Sequence, residues 1–286
     1  MTDTTSSLAL AAETRFVDVH GQRIAYRRIG QGLPIVLANR LRGTLDTWDP
    51  LFLDHLAASH TVVTFDYAGI GYSEGRFPAS MDEAAQQLAG LADALDLSTY
   101  VLAGWSWGGA VAQTLLVSRP RGVTHAVLIG TNPPGKNEHP MQPAFLERAF
   151  RPVNDLADEE VLFFEPASAA SRAAAAASRA RIRQRPDVDA RIPSTPEAIQ
   201  PYLAAAARYH DPATGLREQL VACEVPMLVL AGTRDTSTPG QNWFPLVARI
   251  PRALLVVLPS SGHAPQHQYP ELAARYIADF IALERP

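Results

Sequence analysis

The chain has 286 residues, room for one large α/β domain with an insertion. Its 25 Lys and Arg against 29 Asp and Glu carry no basic bias of the kind that nucleic acid or an anionic membrane attracts, so neither is expected as a partner. One cysteine, Cys223, excludes an intrachain disulfide and reads as a small buried hydrophobe; residues 1–13 lack a basic n-region and no apolar run approaches a membrane span, so a cytoplasmic location is expected.

Alternation in Phe16–His20 and Arg23–Arg27, divided by Gly21-Gln22, predicts an antiparallel hairpin. Four short apolar runs follow, at 34–38, 61–65, 100–103 and 123–129, of the kind buried on both faces of a parallel sheet. Between them Ser80-Met81-Asp82-Glu83 has the form of a capping box, ahead of apolar positions from Ala84 to Leu95 at helical spacing. Strand, helix, strand repeated signals right-handed crossovers in a mostly parallel sheet. The repetition stops after Ile129 and resumes at Met227–Ala231, with a helix near 243–250, a strand at Leu254–Leu258 and a closing helix from Pro270. The expected organisation is therefore a core of 1–132 and 221–286 interrupted by a helical cap of 133–220, with helices near 167–180 and 197–209. Its arginines, Arg179, Arg181, Arg183, Arg185 and Arg191, are expected on a solvated helix face, an anion-binding surface being the alternative.

The third apolar run breaks into Gly104-Trp105-Ser106-Trp107-Gly108. A serine lifted on a sharp strand-to-helix turn crowds the residues two places to either side, and glycine at both positions relieves that crowding. A serine hydroxyl is a weak nucleophile at neutral pH and needs a base, which needs a partner to fix its tautomer. Functional groups in open parallel sheets gather beyond the carboxyl ends of strands. Two late strands run directly into Gly232-Thr233-Arg234-Asp235 and Pro259-Ser260-Ser261-Gly262-His263. Asp235 is thus the candidate acid, ahead of Asp46 and Asp66, and His263 the candidate base, ahead of seven other histidines. Metal binding by His263 and His267 at helical spacing is disfavoured by Pro265 and by the lack of an evident acidic third ligand. No metal or cofactor is expected.

Taken together, these motifs resemble the α/β-hydrolase fold family. The order Ser106, Asp235, His263 is that family's order, and Asp66-Tyr67-Ala68-Gly69-Ile70-Gly71-Tyr72-Ser73 is similar to its Asp-x-x-Gly-x-Gly-x-Ser turn. The resemblance covers nearly everything from Phe16 onward except the cap. It implies a Ser-His-Asp triad and an oxyanion hole made by the N–H groups of Trp107 and of Leu41. In this loop Asn39-Arg40-Leu41 stands where relatives commonly carry His-Gly and an apolar residue, which alters the loop. Arg40 is a candidate for a substrate carboxylate or carbonyl, or else pairs outward with Asp46 or Asp49; Trp105 and Trp107 are candidate pocket walls, with core packing as the alternative. Ser106-Trp107-Gly108 also resembles the Asp-Trp-Gly of epoxide hydrolases and haloalkane dehalogenases, except at the nucleophile, which favours acyl transfer to serine. The expectation is a cofactor-free serine hydrolase of a small, mainly apolar ester, lactone or related carbonyl compound. A carbon–carbon hydrolase of ring-cleavage products, a cofactor-free perhydrolase and a small-molecule receptor with a retained triad are the alternatives, and homo-oligomerisation stays open.

Overall fold

Eight strands form one sheet: β1 (Arg15–Val19), β2 (Gln22–Ile29), β3 (Pro34–Ala38), β4 (Thr61–Phe65), β5 (Tyr100–Trp105), β6 (Val123–Ile129), β7 (Met227–Gly232) and β8 (Ala253–Leu258), in spatial order β1-β2-β4-β3-β5-β6-β7-β8. They come from a computed structural model that describes residues 7–283. β1 and β2 pair antiparallel across a His20-Gly21 turn in which both residues have positive φ, the geometry that matches strand twist in a two-residue hairpin. β2 joins β4 antiparallel, and every other pairing is parallel.

The parallel strands β3 to β7 are buried on both faces, whereas β8 at the sheet edge is only partly buried, and their side chains divide by alternation. Val36, Val63, Leu102 and Leu128 point to a core shared with Leu88 and Leu91 of the helix Met81–Ala94 and with Val111 and Leu115 of the helix Trp107–Val117. Ile35, Leu37, Val101 and Val127 point to the opposite core, with Phe52 and Leu56 of the helix Pro50–Ala57 and Ile277 and Phe280 of the helix Pro270–Leu283. The helix Pro50–Ala57 carried its own start signal, Asp49 as cap with Pro50 at the first helical position. Ser80 caps the helix Met81–Ala94 by accepting from Glu83 N, but the box does not close: the Glu83 carboxylate accepts from Ala79 N and Arg76 instead.

Between β6 and β7 the chain forms the helices Pro143–Ala149, Leu156–Phe163, Ala169–Ile182, Pro196–Tyr209 and Leu216–Val221, with no strand among the described residues. Its arginines do not form a simple solvated face. Arg181 grips Asp49 with two bonds, Arg183 bonds Glu159 and Asp189, Arg179 bonds Glu159, and Arg185 reaches the carbonyls of Ala9 and Ala12. The chain passes from β3 to β4 on one side and returns to β5 on the other, so a crevice opens beyond the ends of β3 and β5.

Candidate active site

Ser106 sits in that crevice, on the residue between β5 and the helix Trp107–Val117, with φ 56° and ψ −116°. A non-glycine residue rarely adopts such a backbone, and its persistence requires the surroundings to hold it. Ser106 N donates to Ile129 O at 2.9 Å, and Ser106 O accepts from Ala110 N at 3.1 Å. The flanking glycines are sterically required: a Cβ on Gly104 would meet the Gly108 carbonyl, and one on Gly108 would meet the Ala38 and Asn39 carbonyls. The turn is therefore wedged against the end of β3, where the loop carrying Leu41 begins.

His263 follows β8 and is fully enclosed, and its Nδ1 lies 2.9 and 3.1 Å from the two oxygens of Asp235, which follows β7. Asp235 also accepts from Ser237 N and Thr238 N, both at 2.8 Å, and from the Thr238 hydroxyl at 2.9 Å. Burial pushes this carboxyl up, but the His263 ring and the two N–H groups outweigh it and hold Asp235 below its ordinary value. With Nδ1 taken by Asp235, the other ring nitrogen is left for the cavity. Gly130, at φ 46°, allows the loop after β6 to lie against His263: a Cβ there would sit 2.5 Å from His263 O.

Ser106 and His263 line one cavity of about 80 Å³ with Arg40 and Leu41 and with Phe145 and Phe163 from the inserted segment. Ser106 Oγ and His263 Nε2 are not hydrogen-bonded to each other; such bonds are often long in ligand-free sites. The N–H groups of Leu41 and Trp107 likewise donate to no protein acceptor among the described residues.

Four expectations change. Trp107 turns away from this cavity: it packs on Tyr67, Phe77 and Tyr202, and its Nε1 donates to Tyr202 O. Trp105, 1 % exposed, bonds His263 O through Nε1 and packs on Trp48 and His267, lining only an adjoining recess rather than the Ser106 cavity. Arg40 pairs with neither Asp46 nor Asp49, which Arg27 and Arg181 occupy. Asp66, the other rival for the acid, is buried under its own turn, where it accepts from Leu45 N and Tyr72 N. Pro265 opens a short helix, Pro265–Gln268, rather than preventing one. His267 in that helix accepts from Asp49 N, which commits its Nε2. Sequence reasoning passed over Arg42, which is 4 % exposed and donates to the carbonyls of Ala149, Arg151, Pro152 and Pro193, tying the Leu41 loop to the inserted segment.

The architecture and the site define a class, and comparison with known proteins gives the family. The α/β-hydrolase-fold family model matches residues 34–270, and the chain belongs to that family. It is 25 % identical to the pimeloyl-[acyl-carrier protein] methyl ester esterase of Nitrosomonas europaea, over 89 % of this chain and 96 % of that protein. It is 31 % identical to polyketide synthase ThaQ of Burkholderia thailandensis over 85 % of this chain, but spans only 11 % of that much longer protein. An α/β-hydrolase fold protein from Chitinophaga pinensis superimposes with a TM-score of 0.81 at 25 % identity, covering 96 % of this chain and 98 % of that one. Family membership and the esterase relative support a hydrolase. No helix among the described residues is long and apolar enough to cross a membrane.

Proposed function

We propose that this chain is a serine hydrolase that cleaves a small, mainly apolar ester or lactone through an acyl-enzyme on Ser106. One observation carries the reading: a serine held in a strained turn at the end of a central strand shares a cavity with a histidine whose far nitrogen is fixed by a buried carboxylate. Ser106 Oγ attacks the carbonyl carbon as His263 Nε2 takes its proton, and Asp235 stabilises the imidazolium. The N–H groups of Leu41 and Trp107, which have no protein acceptor among the described residues, receive the oxyanion. His263 then returns the proton to the leaving alcohol. Water, deprotonated by the same histidine, attacks the acyl carbon, and the proton goes back to Ser106 as the acid departs. The segment 133–220 acts as a cap, contributing Phe145 and Phe163 to the cavity wall. The small volume favours short acyl groups over polymers.

Turnover of short-chain 4-nitrophenyl esters by the parent and by Ser106→Ala and His263→Ala tests this reading. Sustained multiple turnover, reduced by about a thousandfold or more in each variant, is the expected result. A folded parent that binds esters without turning them over, or undiminished turnover in Ser106→Ala, contradicts it; the first outcome describes a receptor.

A further inference from the structure

The cavity beside Ser106 is lined by an arginine that no carboxylate occupies. Arg40 Nη1 donates to Leu41 O at 2.7 Å, while Nε is buried without a hydrogen-bond partner and Nη2 has no protein acceptor among the described residues. The edge formed by Nε and Nη2 is the side on which a guanidinium takes a carboxylate through two parallel bonds. Two neighbouring arginines use that edge in this way: Arg181 on Asp49 at 2.8 and 2.6 Å, and Arg183 on Asp189 at 3.0 and 2.8 Å. On Arg40 that edge makes no hydrogen bond to protein among the described residues.

Its surroundings hold it in place without neutralising it. The rings of Phe163 and Trp105 lie 4.5 and 5.2 Å from its Cζ and fix the guanidinium plane. Glu159 lines the same cavity, but its Oε1 is already bonded by Arg179 at 2.5 Å and Arg183 at 3.1 Å. Arg42 is saturated by four backbone carbonyls. Burial, with the Arg42 charge adding to it and the Glu159 charge opposing it, lowers Arg40 to about 10. A buried charge with unmade hydrogen bonds is costly to keep, and a bound acceptor relieves that cost.

We propose that Arg40 binds a carboxylate of the substrate, so that the ester cleaved at Ser106 is an acidic one, a short acyl chain whose far end is ionised. This refines the mainly apolar substrate and rests on the serine-hydrolase reading above. Arg40 immediately precedes Leu41, so the docked carboxylate and the oxyanion loop are positioned by the same turn.

The test compares 4-nitrophenyl hemiglutarate with 4-nitrophenyl pentanoate, acyl chains of equal carbon number that differ in a terminal carboxylate, corrected for spontaneous hydrolysis. The full chain is measured beside Arg40→Gln and Arg40→Lys, each protein also being labelled with a fluorophosphonate to report on Ser106. The parent is expected to prefer the hemiglutarate by about tenfold or more in kcat/KM, the scale of a charge-assisted contact. Arg40→Gln should lose at least about tenfold more on the hemiglutarate than on the pentanoate, with Arg40→Lys between, since lysine keeps the charge without the fork. Free glutarate should compete with pentanoate hydrolysis in the parent and not in Arg40→Gln. A labelled parent that takes the pentanoate as well as the hemiglutarate overturns the carboxylate assignment, leaves the nucleophile standing and needs no variant to fold. Equal losses on both esters also overturn it, because Arg40 then serves only to hold the loop. Absence of labelling in the folded parent overturns the nucleophile reading, and this proposal with it.

Discussion

Adding a single carbon at Gly108 probes the wedge between the serine turn and the end of β3. A Cβ there lies 2.5 Å from the Ala38 carbonyl carbon and 2.6 Å from Asn39 O, and closer still to Ala38 O, whereas ordinary contacts begin near 3.4 Å. Relief requires a separation of roughly 1.2 Å, and because the opposing atoms are backbone, no rotamer change supplies it. Overpacking of this kind costs typically 1–3 kcal/mol, and about 3 kcal/mol is expected for Gly108→Ala, a fall in Tm of roughly 5 °C. The displaced strand end leads into the Leu41 loop, and misplacement by about 1 Å in such a site costs on the order of a hundredfold in rate. Gly215→Ala is the control: its φ is 70°, but the nearest atom to an added Cβ is Gln219 Nε2 at 3.9 Å. That change carries only the left-handed backbone cost of about 1–2 kcal/mol and leaves the serine untouched. Thermal melts and fluorophosphonate labelling rates measure both effects. If Gly108→Ala matched Gly215→Ala in melting temperature and labelled at the parental rate, the reasoning would be refuted.

Arg42→Met removes four hydrogen bonds to backbone carbonyls. A loss of about 3–5 kcal/mol is expected, with faster amide exchange at 149–153, measured by mass spectrometry; unchanged protection there would count against a tie between the loop and the insertion. Asp235→Asn is expected to lower kcat by about a thousandfold to ten-thousandfold by placing the wrong tautomer of His263 toward Ser106, with labelling slowed in parallel; a parental rate would contradict the assigned acid. Burial raises Asp66 to about 7, so the native state keeps a proton that the unfolded chain releases near 4. The stability this contributes is complete below about pH 4 and is lost as pH rises through 7, and urea titrations of Asp66→Asn should lack that decline, worth about 3–4 kcal/mol. Burial lowers His267 to about 4, which gives the opposite sign: stability present above about pH 6.5 is lost as pH falls toward 4, and His267→Gln should remove that loss. Parallel curves for variant and parent would refute either assignment.

The parallel strands were readable because each is an apolar run flanked by turn residues, and the candidate site because Ser106, Asp235 and His263 each lie just beyond such a run. Side-chain direction was not readable. Trp105 and Trp107 flank the serine in the chain, yet the backbone turn sends both rings into packing, one toward β8 and the other toward Tyr202. The pairings of Arg181, in the inserted segment, and of Arg42, in the loop after β3, gave no periodic signal because their partners are remote: Asp49 lies 132 residues from Arg181, and the carbonyls around Arg42 lie more than 100 residues away. Cys223 is buried and its thiol is pushed up by burial, which suits a packing role.

The central claim is that Ser106 is a nucleophile activated by His263. Intact-mass analysis after fluorophosphonate treatment, with peptide mapping of the adduct, addresses it most directly. One adduct per chain is expected, on the peptide containing Ser106, absent from Ser106→Ala and formed far more slowly in His263→Ala. An adduct on another residue, or a folded parent that remains unlabelled, would contradict it.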